Sequence, residues 1–250
     1  GLETATSLNS PIDGIRQSIS NQCKKRATDQ QGIYSLTVPT GGGKTYASLR
    51  YAVHHAQQHQ LDRIIYIIPF TSIIDQNASA IRKVLEPDGE QGQWVFEHHS
   101  NLEPEQQTWR SKLVAENWDA PIVLTTMVQF LETLLSGGTR GVRRLHQLAN
   151  SVLVFDEIQT LPINCTHLFC NSINFLKAHC QTTAVLCTAT QPLLHQLKQP
   201  EKGQLHFDDE LMPDVARLFD ELKRVDIVDS TKTGGWSVDE ISRLAMGEFE

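Results

Sequence analysis

Residues 38–45, Val38-Pro39-Thr40-Gly41-Gly42-Gly43-Lys44-Thr45, constrain the fold more than any other stretch of this chain. They follow an apolar, β-rich run at 33–38 and precede a helical pattern at 45–58. Consecutive glycines let the backbone curl until its N–H groups face one point, and the start of a helix adds partial positive charge there. A lysine beside such a turn can reach the β- and γ-phosphates of a nucleotide, and the next hydroxyl can hold Mg²⁺. The strict phosphate-loop pattern places Gly where this chain has Val38. Thr40, Gly41, Gly42, Gly43, Lys44 and Thr45 are therefore the candidate phosphate-binding residues.

A second apolar run, 152–155, ends in Asp156 and Glu157. An Asp at a strand end can ligate Mg²⁺ directly or through water. The adjacent Glu, pointing the other way, can orient and deprotonate an attacking water. Alone, such a strand end is as readily a solvated acidic turn; the phosphate loop upstream makes the acids its partners. Thr188-Ala189-Thr190 follows a further apolar run, 184–187, where small hydroxyl residues can couple a phosphate site to a neighbouring domain.

Between these landmarks, apolar runs alternate with helical patterns. The runs are 33–38, 64–68, 94–97, 122–125, 152–155 and 184–187, and the helical patterns include 12–23, 45–58, 72–85, 127–135 and 165–178. Nearly continuous apolar runs are what strands buried on both faces of a parallel sheet look like. The expected fold is α/β: a parallel sheet sandwiched between helices. Polar turns are expected at 86–93 and 199–204, a helix at 208–222, a strand at 225–228 and a last helix opened by the capping box Ser237-Val238-Asp239-Glu240.

In order along the chain, Pro39 to Thr45, Pro69-Phe70-Thr71-Ser72, Thr125-Thr126, Asp156-Glu157-Ile158-Gln159 and Thr188-Ala189-Thr190 resemble the successive motifs of a DEAD/DEAH-type superfamily 2 helicase. The linking phrases Glu97-His98-His99-Ser100-Asn101, Glu116-Asn117-Trp118-Asp119-Ala120-Pro121, Thr126-Met127-Val128-Gln129-Phe130 and Leu186-Cys187-Thr188-Ala189-Thr190-Gln191-Pro192 are similar to the CRISPR-associated helicase–nuclease of type I interference systems. The likeness spans roughly residues 9–197.

The resemblance implies a RecA-like P-loop domain that binds ATP with Mg²⁺ and moves on single-stranded DNA with 3′-to-5′ polarity. It would be recruited by an RNA-guided CRISPR surveillance complex. Lys44, Asp156 and Glu157 would be catalytic, Thr45 and Asp156 the metal ligands, and Thr188, Thr190 and Gln159 the coupling residues. Thr71, Ser72, Thr125 and Thr126 would contact DNA phosphates, although helix capping explains such hydroxyls equally. Arg143 and Arg144, in a basic cluster with Arg140, are the remaining DNA candidates, against the plain reading of a solvated helix face. Arg16, Gln17 and Gln22 precede the phosphate loop by the distance at which helicases read adenine. Ile158 stands where this branch often has Ala, and the family's His-Asp nuclease pair is missing from the chain. The nuclease domain and the second RecA-like domain, with its arginines, would lie on a further segment or a separate chain. An RNA helicase of the same superfamily, or a nucleotide-binding module without turnover, are the rival readings.

Composition narrows the rest. The formal charge of −7 argues against gripping nucleic acid by overall positive charge, though not against a local track. No run approaches the roughly 18 apolar residues of a membrane span, no signal peptide is read at the start, and the expected location is the cytoplasm. The chain opens on Gly1 and reads as a segment of something longer. Five cysteines without CxxC spacing read as reduced thiols. His98-His99 reads as a loop rather than a metal pair, and adjacent His54 and His55 as a solvated helix face. Residues 1–222 are expected to form the first RecA-like domain, and 223–250 a linker with the start of a second.

Overall fold

The computed structural model describes residues 10–86, 94–98, 117–135, 139–225 and 229–247. Its strands are β1 (Ile33–Thr37), β2 (Arg63–Ile68), β3 (Val95–His98), β4 (Ile122–Thr126), β5 (Ser151–Asp156), β6 (Thr183–Thr188) and β7 (Asp209–Glu210). Its α-helices are α1 (Pro11–Arg26), α2 (Lys44–His59), α3 (Thr71–Leu85), α4 (Met127–Leu135), α5 (Thr139–Leu145), α6 (Thr166–His179), α7 (Val215–Glu221) and α8 (Val238–Gly247). The strands form one seven-stranded sheet in the order β3-β4-β2-β5-β6-β1-β7. Every pairing is parallel.

The central strands β2, β5 and β6 are mostly apolar because both faces are covered. On one face Leu36, Tyr66, Ile68, Val154 and Val185 pack against Ile19 and Cys23 of α1, Leu49 and Tyr51 of α2 and Ile74 of α3. On the other, Ile65, Ile67, Leu153, Phe155 and Leu186 meet Phe130 of α4 and Phe169 and Ile173 of α6. Phe155 stands edge-on to both Phe130 and Phe169, at 5.1 Å from each ring centroid, an arrangement that aromatic quadrupoles favour. With parallel strands all carboxyl ends lie at one edge, where open α/β sheets gather their ligands. Register aligns that edge: Thr37 pairs with Thr188, Cys187 with Asp156, and Ile68 with Thr126. The three-layer, RecA-like architecture expected from the alternation is thus present.

Two expectations are corrected. The helix expected over 208–222 is a short strand followed by a short helix. Residues Asp209 and Glu210 extend beside β1 because the Glu210 carboxylate accepts from the Ser35 and Thr37 hydroxyls and from the Thr37 and Met212 N–H groups. Pro213 then breaks the pattern, and Asp214 caps α7 by accepting from the Arg217 N–H at 3.0 Å. His55 is not on a solvated face: it is fully buried. Its Nδ1 lies 2.9 Å from the Ala27 carbonyl and its Nε2 2.8 Å from the Thr183 hydroxyl. Burial pushes its pKa down to about 4 despite the Ala27 bond. The plain reading of the basic cluster as a helix face agrees with α5, on which Arg143 is exposed. Residues 226–228, most of the strand expected there, lie outside the described residues, as do 87–93 of the polar turn. The capping box is formed: Ser237 and Glu240 exchange side chain-to-backbone bonds.

Candidate active site

The phosphate loop leaves β1 and enters α2 through backbone that only glycine adopts cheaply. Gly41 and Gly43 have φ of +86° and +82°. A Cβ on Gly42 would come within 2.5 Å of the Val38 side chain. The residue that breaks the strict motif therefore packs the underside of the loop.

Lys44, the first residue of α2, donates to Glu157 Oε1 at 2.6 Å. Glu157 adopts a left-handed conformation, φ 49°, directly after β5. That conformation is uncommon for a residue with a side chain and is found where structure over-determines it. Here the turn is held by the Thr160 hydroxyl and N–H, both donating to the Glu157 carbonyl. Glu157 Oε2 accepts from Gln159 Nε2 at 2.7 Å. Gln159 Oε1 lies 2.6 Å from the Thr188 hydroxyl, which in turn accepts from the Thr190 N–H at 2.9 Å. The sequence-selected residues Lys44, Glu157, Gln159, Thr188 and Thr190 are thus one continuous chain of polar contacts.

The two acids are tuned in opposite directions. Burial raises Asp156 above the ordinary carboxylate range, with Lys44 opposing it. Burial also works against Glu157, but the hydrogen bonds from Lys44 and Gln159 outweigh it and hold that carboxyl below its ordinary value. Opposed shifts on neighbouring carboxyls are a hallmark of functional sites. Among the described residues no group of three or more His, Cys, Asp or Glu gathers to hold a metal by itself. The donor set suits Mg²⁺, which takes one or two carboxylates and completes its shell with water and phosphate oxygens. Asp156 and Thr45 would hold it.

Of the adenine candidates, Arg16 is the one beside the loop. Its Nε donates to the Gly41 carbonyl at 2.9 Å. Gln17 bonds Asn21 on its own helix, and Gln22 donates to the Leu211 carbonyl. Of the DNA candidates, Ser72 is exposed and Thr71 half-buried at the start of α3. Thr125 is buried and its hydroxyl donates to the His98 carbonyl at 3.1 Å. The Thr126 hydroxyl accepts from the Gln129 N–H, capping α4. Arg143 is exposed; Arg144 bonds Gln129 and lies over the buried Trp118 ring. The Arg140 side chain, residues 99–101 and Glu116 lie outside the described residues.

Sequence reasoning missed Glu210 and the amide of Gln191, which donates to the Thr37 hydroxyl at 2.7 Å. Both reach the base of the loop across β1. Their signal is weak: Gln191 stands in the linking phrase 186–192 without a role of its own, and Glu210 lies in a stretch that reads as helix.

A glycine-rich loop between strand and helix, a lysine on it, and an acid pair two strands away define the class of RecA-like P-loop nucleotide-binding proteins. The DEAD/DEAH box helicase family matches residues 17–198, and the chain belongs to that family. It is similar to the CRISPR-associated nuclease/helicase Cas3 of Haloferax volcanii, 27% identical over 203 residues. That match covers 73% of this chain but 21% of the relative, so the chain spans about a fifth of the relative's length. Among solved structures it resembles T. fusca Cas3 (TM-score 0.57, 18% identity, 70% of this chain, 21% of that one). It also resembles the AMPPNP complex of the same protein (TM-score 0.56, 20% identity, 71% and 21%). The DUF1998 helicase MrfA bound to DNA is similar too (TM-score 0.51, 18% identity, 77% and 27%). At these identities the structural likeness carries the fold. Among the described residues no helix is long and apolar enough to cross a membrane.

Proposed function

We propose that this chain is the ATP-binding half of a single-stranded DNA translocase serving type I CRISPR interference in the cytoplasm. Helicase membership is the coarse fact; the finer reading leans on the Haloferax relative, whose name couples a helicase to a nuclease and to CRISPR. Residues 1–222 would be the first RecA-like domain and 223–250 the approach to a second. The nuclease domain, the second RecA-like domain and the RNA-guided surveillance complex are the proposed partners.

The observation that carries the reading is the 2.6 Å pair between Lys44 and Glu157. It joins the residue that would hold phosphates to the one that would activate water. When nucleotide enters, the loop's N–H groups and Lys44 bind the phosphates, and Lys44 gives up Glu157. The released carboxylate, oriented at Oε2 by Gln159, accepts the water's proton at Oε1 as the water oxygen bonds the γ-phosphorus and ADP departs. Asp156 and Thr45 would hold Mg²⁺, which would neutralise charge on the phosphates. Gln159 also touches Thr188, so a change at the Glu157 carboxylate reaches the Thr188–Thr190 turn. Movement along DNA would follow when that turn shifts against the second domain. Contacts to the strand would be to backbone phosphates, through Thr71, Ser72, Thr126, Arg143 and Arg144 and the N–H groups around them, and hence salt-sensitive; Thr125, fully buried and bonded to the His98 carbonyl, drops out of that set.

Calorimetry with ATP and Mg²⁺ tests the central claim. Lys44→Ala should weaken binding by about 10- to 100-fold, the worth of a hydrogen bond to a charged group, without altering thermal unfolding. Unchanged affinity would end the phosphate-loop reading. In the proposed layout the second RecA-like domain supplies an arginine worth about 10³–10⁵ in rate, so extending the protein through that domain should raise turnover.

A further inference from the structure

Arg224, like Arg16, lies beside Gly41 of the phosphate loop. A Cβ added at Gly41 would stand 3.1 Å from its Cζ and closer still to Nη2, so the guanidinium occupies the space that glycine leaves. The approach is anchored. Leu222, at the end of α7, is buried in the core, and its Cδ1 lies 3.0 Å from where a Gly42 Cβ would be. Two residues later the chain emerges with Arg224 exposed.

The two arginines beside Gly41 differ in what they have left to give. Arg16 spends its Nε on the Gly41 carbonyl, pairs with Asp13 at 3.4 Å, and lays its stem over Gly43. Arg224 has neither an ion pair nor a hydrogen bond among the described residues. A chain of net charge −7 offers many carboxylates, yet this guanidinium rests on backbone. Guanidinium forks match phosphate geometry.

We propose that Arg224 is a phosphate-contacting residue of the nucleotide site: it binds the polyphosphate of a nucleoside di- or triphosphate, supplied from the segment that follows α7. The proposal rests on the ATP-binding reading and deepens it. Nucleotide would then hold the 222–225 segment against the loop, so its presence registers in the chain leaving the domain as well as within the sheet.

The test uses this chain with Arg224→Ala, Arg224→Lys and Lys44→Ala, titrated with ATP, ADP and AMP in Mg²⁺. Arg224→Ala should weaken ATP about 10- to 100-fold, ADP less and AMP hardly at all. Arg224→Lys should recover part of the loss, and thermal unfolding should not move. Wild-type ATP affinity in Arg224→Ala, with Lys44→Ala impaired, overturns the role of Arg224 and leaves the nucleotide site standing. An equal loss for AMP places the contact on what the three nucleotides share, base, ribose or α-phosphate, and overturns the polyphosphate contact. No ATP binding by the wild-type chain overturns both readings.

Discussion

At the carboxyl ends of β1, β6 and β5, side chains from distant parts of the chain bond one another: Lys44 to Glu157, Gln159 to Thr188, Gln191 to Thr37. At the carboxyl end of β4, in the other half of the sheet, hydroxyls turn back to main chain. Thr125 serves the His98 carbonyl and Thr126 the Gln129 N–H. The first arrangement joins several elements through charged and amide groups whose partners can change. The second ties hydroxyls to main chain, Thr125 across to β3 and Thr126 at the start of α4. On the proposed function, the first half of the edge rearranges during turnover and the second, with Thr125 and Thr126 buried, stays fixed.

The largest test of that contrast is Glu157→Gln in a protein extended through the second domain. The amide keeps the shape and cannot accept the water's proton, so turnover should fall about 10²–10⁴-fold while ATP still binds. Turnover at the wild-type rate would remove the rearranging half from the chemistry.

A medium effect is expected from His55, which lies away from both halves. Its folded pKa of about 4 is below the ordinary 6.5, so folding favours the neutral ring. The unfolded chain binds the extra proton, and stability from this group is complete above about pH 6.5 and lost as pH falls toward 4. Between pH 7.5 and pH 5 the loss should be about 2 kcal/mol. Denaturant unfolding of wild type and His55→Gln at both pH values reads it: the variant should lack that share of the slope, and parallel slopes would refute the assignment.

The smallest effects sharpen the comparison most directly. Thr188→Val and Thr125→Val each remove one hydroxyl and should cost about 1 kcal/mol of stability. Only Thr188→Val should alter the coupling of ATP hydrolysis to DNA movement in the extended protein. Equal behaviour of the two variants would erase the distinction between the halves.

The sheet and the rearranging half were largely legible in the sequence. Uninterrupted apolar runs located six strands to within a residue at each end, because burial on both faces leaves no other pattern. Lys44, Asp156 and Glu157 declared themselves through motif and order. What was not legible depends on partners remote in sequence. His55 reads as polar until Ala27 and Thr183 enclose it. Glu210 reads as helical until Ser35 and Thr37 draw it alongside β1. Arg224 carries no local pattern; only the packing of Leu222 against Gly42 brings it to the loop.

The buried imidazole gives α2 a mechanical character. The helix has 16 residues, about 24 Å of rod, with Lys44 at its tip and His55 about 16 Å along the axis. At that point the ring is clamped between the chain leaving α1 and the start of β6. A rod gripped there does not slide along the sheet when its tip is pulled. Between grip and tip, Leu49 and Tyr51 are buried in the core, so Lys44 keeps a set reach from the imidazole.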